Sequence, residues 1–408
     1  MNKYLSIKDK VYDITEKYPE TIDVFVSHGF TQLANEKMRK LMGKTITLEM
    51  ALKTKKVNVE LFTQKLIDVI EQNRKSIDDS LTLQEEKKEA GVRISGVLPC
   101  PVRIPLMDSF NKWMEEEGKR LNISLAHELK AASSGVDWLK DEIERAETEE
   151  SLSDIFISAG FDLFFDNSLM KRFKDKGTFE DITGLERLNE DFQNENIDLQ
   201  DPDREYSIIG VVPAVFLINK EEVGGDKIPT SWADLLEPEF ENRVSLPISD
   251  FDLFNAILLN IYKLYGEEGI KKLGKSLFRG MHPSEMVKSH MKSKRPAITI
   301  MPYFFTKMTR EGGPMQAIWP EDGAIISPIF LLSKKSKKDI LKPFVQFFAS
   351  KEVGEILSHN GRFPSTNPEV DNGISEDKRF IWLGWDFIKE NDIGKLIEEC
   401  ERTFNESI

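Results

Sequence analysis

The chain has 408 residues, 56 Lys+Arg against 70 Asp+Glu, a net charge of −14, 40% hydrophobic residues and two cysteines. The apolar fraction excludes wholesale disorder, and the acidic balance argues against nucleic acid or anionic membrane as the main partner. Cys100 and Cys400 are too few for a disulfide framework or a cysteine metal cluster. The longest apolar run, Ile208 to Ile218, has 11 residues and contains Pro213; a membrane-spanning helix needs roughly 20, so no membrane insertion is expected. The first ten residues show no long apolar stretch and no small-residue cleavage site, so the sequence predicts a cytoplasmic protein.

Residues 1–75 carry 14 Lys+Arg and 10 Asp+Glu, a net of +4 that leaves −18 for the rest. This change of sign marks a domain boundary. Ile7, Val11, Ile14 and Tyr18 recur at helical spacing, Pro19 suits a first helical turn, and Gly29 suits a helix end. Thr47 is a candidate N-cap for Leu48 to Leu52. We read residues 1–75 as an all-α module and the charged stretch 76–91 as a linker.

The remainder alternates strand and helix patterns. Val92 to Leu98, Asn122 to Leu129 and Asp154 to Ser158 read as strands, with helices over Pro105 to Lys119 and Trp138 to Glu147. Further strands are predicted at Ile208 to Asn219, Arg243 to Leu246, Ala297 to Met301 and Ala324 to Leu332, with helices at Phe251 to Tyr265 and Ile340 to Ala349. This rhythm predicts a parallel sheet with helices on both faces, which binds ligands at the carboxyl ends of its strands.

Candidate binding residues follow from that rule. Cys100, Pro101, Val102 and Arg103 form a turn opening a helix, where spare N–H donors and a guanidinium suit an anion or carboxylate. The alternative is a buried Cys100 and a salt-bridged surface Arg103. Ser158, Ala159 and Gly160 allow close backbone approach, and Phe161 is read as an apolar wall, the alternative being an ordinary turn. Asp250 and Phe251 stand at a third helix start, where Asp250 is equally a cap. No Gly-rich phosphate loop, paired carboxylates or zinc-helix motif is present, so no catalytic residue, metal or cofactor is assigned and the chain is not read as an enzyme.

Two resemblances add to this reading. Tyr18, Pro19, Glu20, Phe25, His28, Gly29, Phe30, Thr47, Leu48, Glu49 and Ala51 resemble the small helical domain of unknown function that precedes iron–sulfur-cluster repair proteins. Cysteines common after the His-Gly turn in that family are absent here. Pro229 to Pro247, with its Trp232, Asp234, Leu235 and Leu236, resembles a motif of ABC-transporter solute-binding proteins, the ferric-binding branch in particular. Trp319 to Ala324, and Phe348 to Val353 with Gly361 and Pro364, resemble later segments of the same family. The resemblance implies a bilobal periplasmic-binding-protein-like α/β fold, with two crossing strands and a ligand between the lobes. Lobe 1 is expected at 92–207 plus 298–333 and lobe 2 at 208–297 plus 334–408. Tyr303 and Phe304 fall where the ferric-binding branch carries two adjacent tyrosines; Phe304 has no oxygen to donate, which weakens an iron reading.

The expectation is therefore an intracellular protein that binds a small polar or anionic solute and signals its closure. A protein partner would act through the N-terminal module. The alternatives are the solute-binding component of an ABC transporter, or an enzyme on the same bilobal fold.

Overall fold

A computed structural model describes residues 4–18, 21–27, 30–34, 38–55, 59, 62–63, 65–67, 70, 91–121, 123–132, 135–224, 227–248, 251–280, 295–309 and 312–408. The chain forms two compact units, Met1–Ala90 and Gly91–Ile408. Pro19, Glu20, His28, Gly29 and the linker up to residue 90 lie outside the described residues, as do Asp250, His282 and His290.

In the first unit, α1 (Val11–Lys17), α2 (Thr21–Ser27) and α3 (Leu48–Thr54) surround a small core. The Phe25 ring meets Phe62 at 5.0 Å and Phe30 at 5.7 Å, and Leu48 and Leu52 are fully buried. Thr47 caps α3, its side-chain oxygen accepting from the Met50 N–H at 3.3 Å. That bond satisfies one of the orphan donors of the first helical turn.

The second unit is built on one sheet. Its strands are β1 (Val92–Leu98), β2 (Leu125–Ala131), β3 (Ile155–Ala159), β4 (Ser207–Asn219), β5 (Val244–Leu246), β6 (Leu277–Gly280), β7 (Ile298–Pro302), β8 (Met315–Ile318), β9 (Ala324–Ser333) and β10 (Phe380–Ile381). The order is β2-β1-β3-β9-β4-β7-β5-β6, with β10 on β9 and β8 on β4. Labelled helices are α4 (Cys100–Trp113), α5 (Asp137–Arg145), α6 (Asn167–Lys174), α7 (Phe251–Ser276), α8 (Lys338–Phe348) and α9 (Ile393–Asn405). The unit is a mixed α/β fold. Among the described residues no helix is long and apolar enough to cross a membrane.

The parallel sheet predicted from the strand and helix rhythm is corrected in part, because the pairing is mixed. Pairing is parallel within β2-β1-β3 and within β6-β5-β7, but β9 runs antiparallel to β3 and to β4, and β4 runs antiparallel to β7. The continuous apolar run of β4 is buried along its whole length and serves both halves. Ser207 to Pro213 pair with β9, and Ala214 to Ile218 pair with β7. The change of partner falls at Pro213, which has no N–H to give to a ladder.

Strand pairing also redraws the expected lobes. Residues 298–302 pair with β4 and β5, so they belong with the second half of the sheet. Helix α8 packs on α4 of the first half, with Phe110 at 5.4 Å from Phe347 and 5.2 Å from Phe348. Strand pairing decides the first placement and ring packing the second, and chain order reveals neither.

Two of the recognised motifs meet in space. Ser231 and Asp234 form a capping box on the short helix Trp232–Leu235. The Trp232 N–H donates to Asp322 Oδ2 at 2.9 Å, and its indole Nε1 donates to the Gly323 carbonyl at 2.9 Å. The fully buried Trp232 ring lies edge-on to Phe216 of β4 at 5.0 Å. These residues hold the second half of the sheet together.

Candidate functional site

The carboxyl end of β7 runs into the turn Tyr303–Met308. The Thr306 hydroxyl donates to the Tyr303 carbonyl at 2.7 Å and accepts from Arg362 Nη1. The Arg362 guanidinium carbon lies 5.1 Å from the centre of the Tyr303 ring. Trp319 meets that ring edge-on at 5.2 Å. Lys378 Nζ is 5.3 Å from the Trp319 ring and 5.8 Å from the Tyr303 ring. Cations are drawn to aromatic faces by the ring quadrupole. Tyr303, Arg362 and Lys378 are all half-buried, and among the described residues no carboxylate pairs with either cation.

Arg362 has φ +49, a left-handed conformation that side chains other than glycine rarely adopt. Its N–H donates to the Ser358 carbonyl at 3.0 Å, and the Phe363 N–H to the Leu357 carbonyl at 3.0 Å. The loop is also tied to the Tyr303 turn. Lys307 Nζ donates to the carbonyls of His359 and Asn360 at 2.9 and 2.8 Å, and Phe304 stacks on Phe363 at 6.2 Å.

The Cys100–Arg103 segment is not a turn but already the start of α4. Val102 is fully buried, and a Cβ at Gly361 would come within 2.5 Å of its Cγ1, so this helix start packs against the Arg362 loop. Cys100 and Pro101 are half-buried there. Arg103 differs from expectation: it is buried, and its Nε donates to the Leu129 carbonyl of β2 at 3.0 Å. The guanidinium thus ties α4 to the sheet.

Ser158 and Ala159 are buried within β3. Gly160 has φ +87, donates its N–H to the Pro328 carbonyl at 3.0 Å, and touches the start of α7. A Cβ there would lie 2.8 Å from Asp252 Oδ1 and 3.1 Å from its Cα. Phe161 is corrected from a crevice wall to a core residue. It is fully buried between Phe165, Phe330 and Trp382, at 6.1, 6.0 and 5.9 Å. Asp250 and the Phe251 side chain lie outside the described residues.

The structure therefore joins Tyr303 and Phe304 to the Arg362 loop, the start of α4 to the same loop, and Gly160 to Asp252. Sequence reasoning missed Trp319, Arg362 and Lys378. The first two lie in or beside recognised motifs, as Trp319 opens the Trp319 to Ala324 segment and Arg362 follows Gly361. Among the described residues no group of three or more His, Cys, Asp or Glu side chains could hold a metal ion.

Solved structures of like fold include a ferric binding protein from Campylobacter jejuni, 18% identical, with a TM-score of 0.54, covering 78% of this chain and 99% of that one. A Clostridium perfringens ABC transporter structure is 16% identical, TM-score 0.52, covering 77% of this chain and 100% of that one. A Trichodesmium protein in complex with iron and citrate is 13% identical, TM-score 0.53, covering 78% and 98%. At these identities the likeness shows the fold. No curated protein matches the chain. Residues 5–63 match the model of a domain of unknown function, DUF1858, which leaves the resemblance to repair proteins without further support. The model of the bacterial extracellular solute-binding protein family matches residues 150–391, more than half of the chain. That match overturns the expected cytoplasmic location, and with it the reading as an intracellular sensor, because the family is extracellular. The chain belongs to the bacterial extracellular solute-binding proteins.

Proposed function

We propose that the chain is the solute-binding component of an ABC transporter and holds an anionic solute beside Tyr303, where the two halves of the sheet meet. The observation that carries this is the pair of half-buried cations, Arg362 and Lys378, held over the Tyr303 and Trp319 rings with no carboxylate ion-paired to either among the described residues. A guanidinium with free donor edges recognises a carboxylate by two parallel hydrogen bonds. The Tyr303 hydroxyl adds a neutral donor. The neighbouring loops come from both halves of the sheet, so a bound anion would favour the closed arrangement by its greater affinity for it.

The Trichodesmium protein was solved with iron and citrate, which makes citrate a sensible first probe. A bare ferric ion is less well served. Phe304 and Phe305 follow Tyr303 and offer no oxygen, and two cations at the Tyr303 ring repel a third positive charge. Calorimetric titration with citrate, phosphate and ferric ion tests the reading. One of the anions should bind, and Tyr303→Ala and Arg362→Gln should each weaken it by about tenfold or more. The reading fails if neither variant changes anion binding, or if ferric ion alone binds more tightly than either anion.

A further inference from the structure

A cavity lies apart from the Tyr303 cluster, among α6, the loop 201–206 that leads into β4, and the helix Trp385–Glu390. Its volume is about 330 Å³, at the lower end of the range of small-molecule sites. Phe165, Tyr206 and Trp385, all buried, form an aromatic wall on one side, and the rest of the lining is mostly charged or amide. Phe165 stacks on Tyr206 at 4.8 Å, and Trp385 packs against Tyr206 at 5.9 Å. Most charges around it are already paired. Lys171 Nζ meets Asp175 Oδ1 at 3.2 Å, and Lys389 Nζ meets Asp203 Oδ2 at 2.5 Å. The Asp201 carboxylate is buried and accepts from the N–H groups of Asp203, Glu205 and Tyr206.

Two groups of opposite charge are left over. Lys174 Nζ sits 5.4 Å from the Phe165 ring and 5.5 Å from the Tyr206 ring, with no ion-pair partner among the described residues. The Glu205 side chain likewise has no hydrogen bond or ion pair among the described residues. Burial pushes the Lys174 ammonium toward its neutral form and the Glu205 carboxyl up toward its protonated form. The two groups sense each other's charge without touching.

We propose that this cavity binds a small amino-acid-like zwitterion, with its carboxylate on Lys174, its ammonium on Glu205 and its carbon skeleton on the aromatic wall. A simple anion would satisfy Lys174 but approach the Glu205 and Asp203 carboxylates. A simple cation would satisfy Glu205 but approach Lys174 and Lys389. A molecule bearing both charges meets each with its complement.

Calorimetric titration of the full chain with each proteinogenic L-amino acid, one at a time, tests this. At least one should bind. Lys174→Met and Glu205→Gln should each weaken it tenfold or more, and Arg362→Gln should leave it unchanged. Acetate and methylammonium, each carrying half of the recognition, should bind at least tenfold more weakly than that amino acid. Circular dichroism melts of the variants confirm folding, and Glu205→Gln gives the reading if Lys174→Met does not fold. The proposal is overturned if no amino acid binds, if acetate binds as well as the best amino acid, or if the two pocket variants change nothing. Loss of binding in Arg362→Gln would assign the amino acid to the Tyr303 site instead.

Discussion

The fold treats two sets of cations in opposite ways. Lys334, at the end of β9, is almost wholly buried; its Nζ donates to Asp154 Oδ1 at 3.0 Å and to the Leu152 carbonyl at 2.8 Å. Asp154 is also fully buried, and its Oδ2 accepts from the Arg93 N–H at 2.8 Å and from Lys337 Nζ at 3.2 Å. Burial pushes the Lys334 ammonium down, and the Asp154 carboxylate opposes that shift. This knot ties the ends of β1, β3 and β9 together. Arg362 and Lys378 rest instead on aromatic faces, half-buried. A charge saturated by the chain serves the fold, whereas a charge left on a ring can be completed by a guest.

Removing Lys334 should produce the largest effect. Lys334→Met leaves the buried Asp154 without its inner partner, which costs about 3–5 kcal/mol for a broken buried pair. Urea denaturation measures the loss, and anion binding by the folded variant should be unchanged. A loss below about 1 kcal/mol, the range of exposed pairs, would erase the contrast. Gly160→Ala comes next. A side chain at φ +87 is strained, and its Cβ would collide with Asp252, so about 1–3 kcal/mol of stability should be lost. Gly177→Ala is the control, because it shares a positive φ of +64 but has open space around it and should lose less. Lys378→Gln should change stability by no more than about 0.5 kcal/mol, because Lys378 is only half-buried and makes no ion pair among the described residues. It should still weaken anion binding several-fold in the same calorimetric titration, and unchanged binding would remove Lys378 from the site.

Local signals carried most of what could be read in the sequence. The Thr47 cap, the apolar run of β4 and the helix pattern at Phe251 to Tyr265 each arise from neighbours in the chain. The structure shows Thr47 capping α3, β4 buried throughout and α7 running through Tyr265 to a break at Gly266, φ +64, beyond which a further helical stretch reaches Ser276. The motif around Trp232 was legible, but its purpose was not. Trp232 and Asp322 are 90 residues apart, and only the folded sheet brings them into hydrogen-bond contact. The same reason hid the antiparallel crossing at Pro213, the burial of Phe161 and the turn of Arg103 toward Leu129. Each depends on which distant strand lies alongside. Arg362 and Lys378 look like ordinary surface cations until Tyr303 and Trp319 are placed beneath them.

The contrast between saturated and unsaturated charge can be sharpened with two carboxylates beside Trp232. Asp234 Oδ2 accepts from the N–H groups of Thr230 and Ser231 at 2.9 and 3.1 Å, and Oδ1 accepts from Lys227 Nζ. Burial alone would raise its pKa, but these hydrogen bonds and the Lys227 charge hold it down at about 2. Asp322 accepts chiefly from the Trp232 N–H, and burial dominates there and raises its pKa. The signs are therefore opposite. Asp234 has a folded pKa below the unfolded value of about 3.9. Its stabilisation is present above pH 4 and is lost as pH falls toward 2. Asp322 has a folded pKa above that value, so its contribution is present in acid and is lost as pH rises through its folded pKa. Because Lys227 is largely exposed, solvent screening keeps the Asp234 contribution to about 1 kcal/mol. Urea midpoints of wild type, Asp234→Asn and Asp322→Asn between pH 2 and 7 read both signs. The deficit of Asp234→Asn should shrink as the solution is acidified, while that of Asp322→Asn should grow relative to its value at neutral pH. If both deficits move in the same direction, hydrogen-bond saturation does not separate these carboxylates, and the same argument loses its force for Arg362 and Lys378.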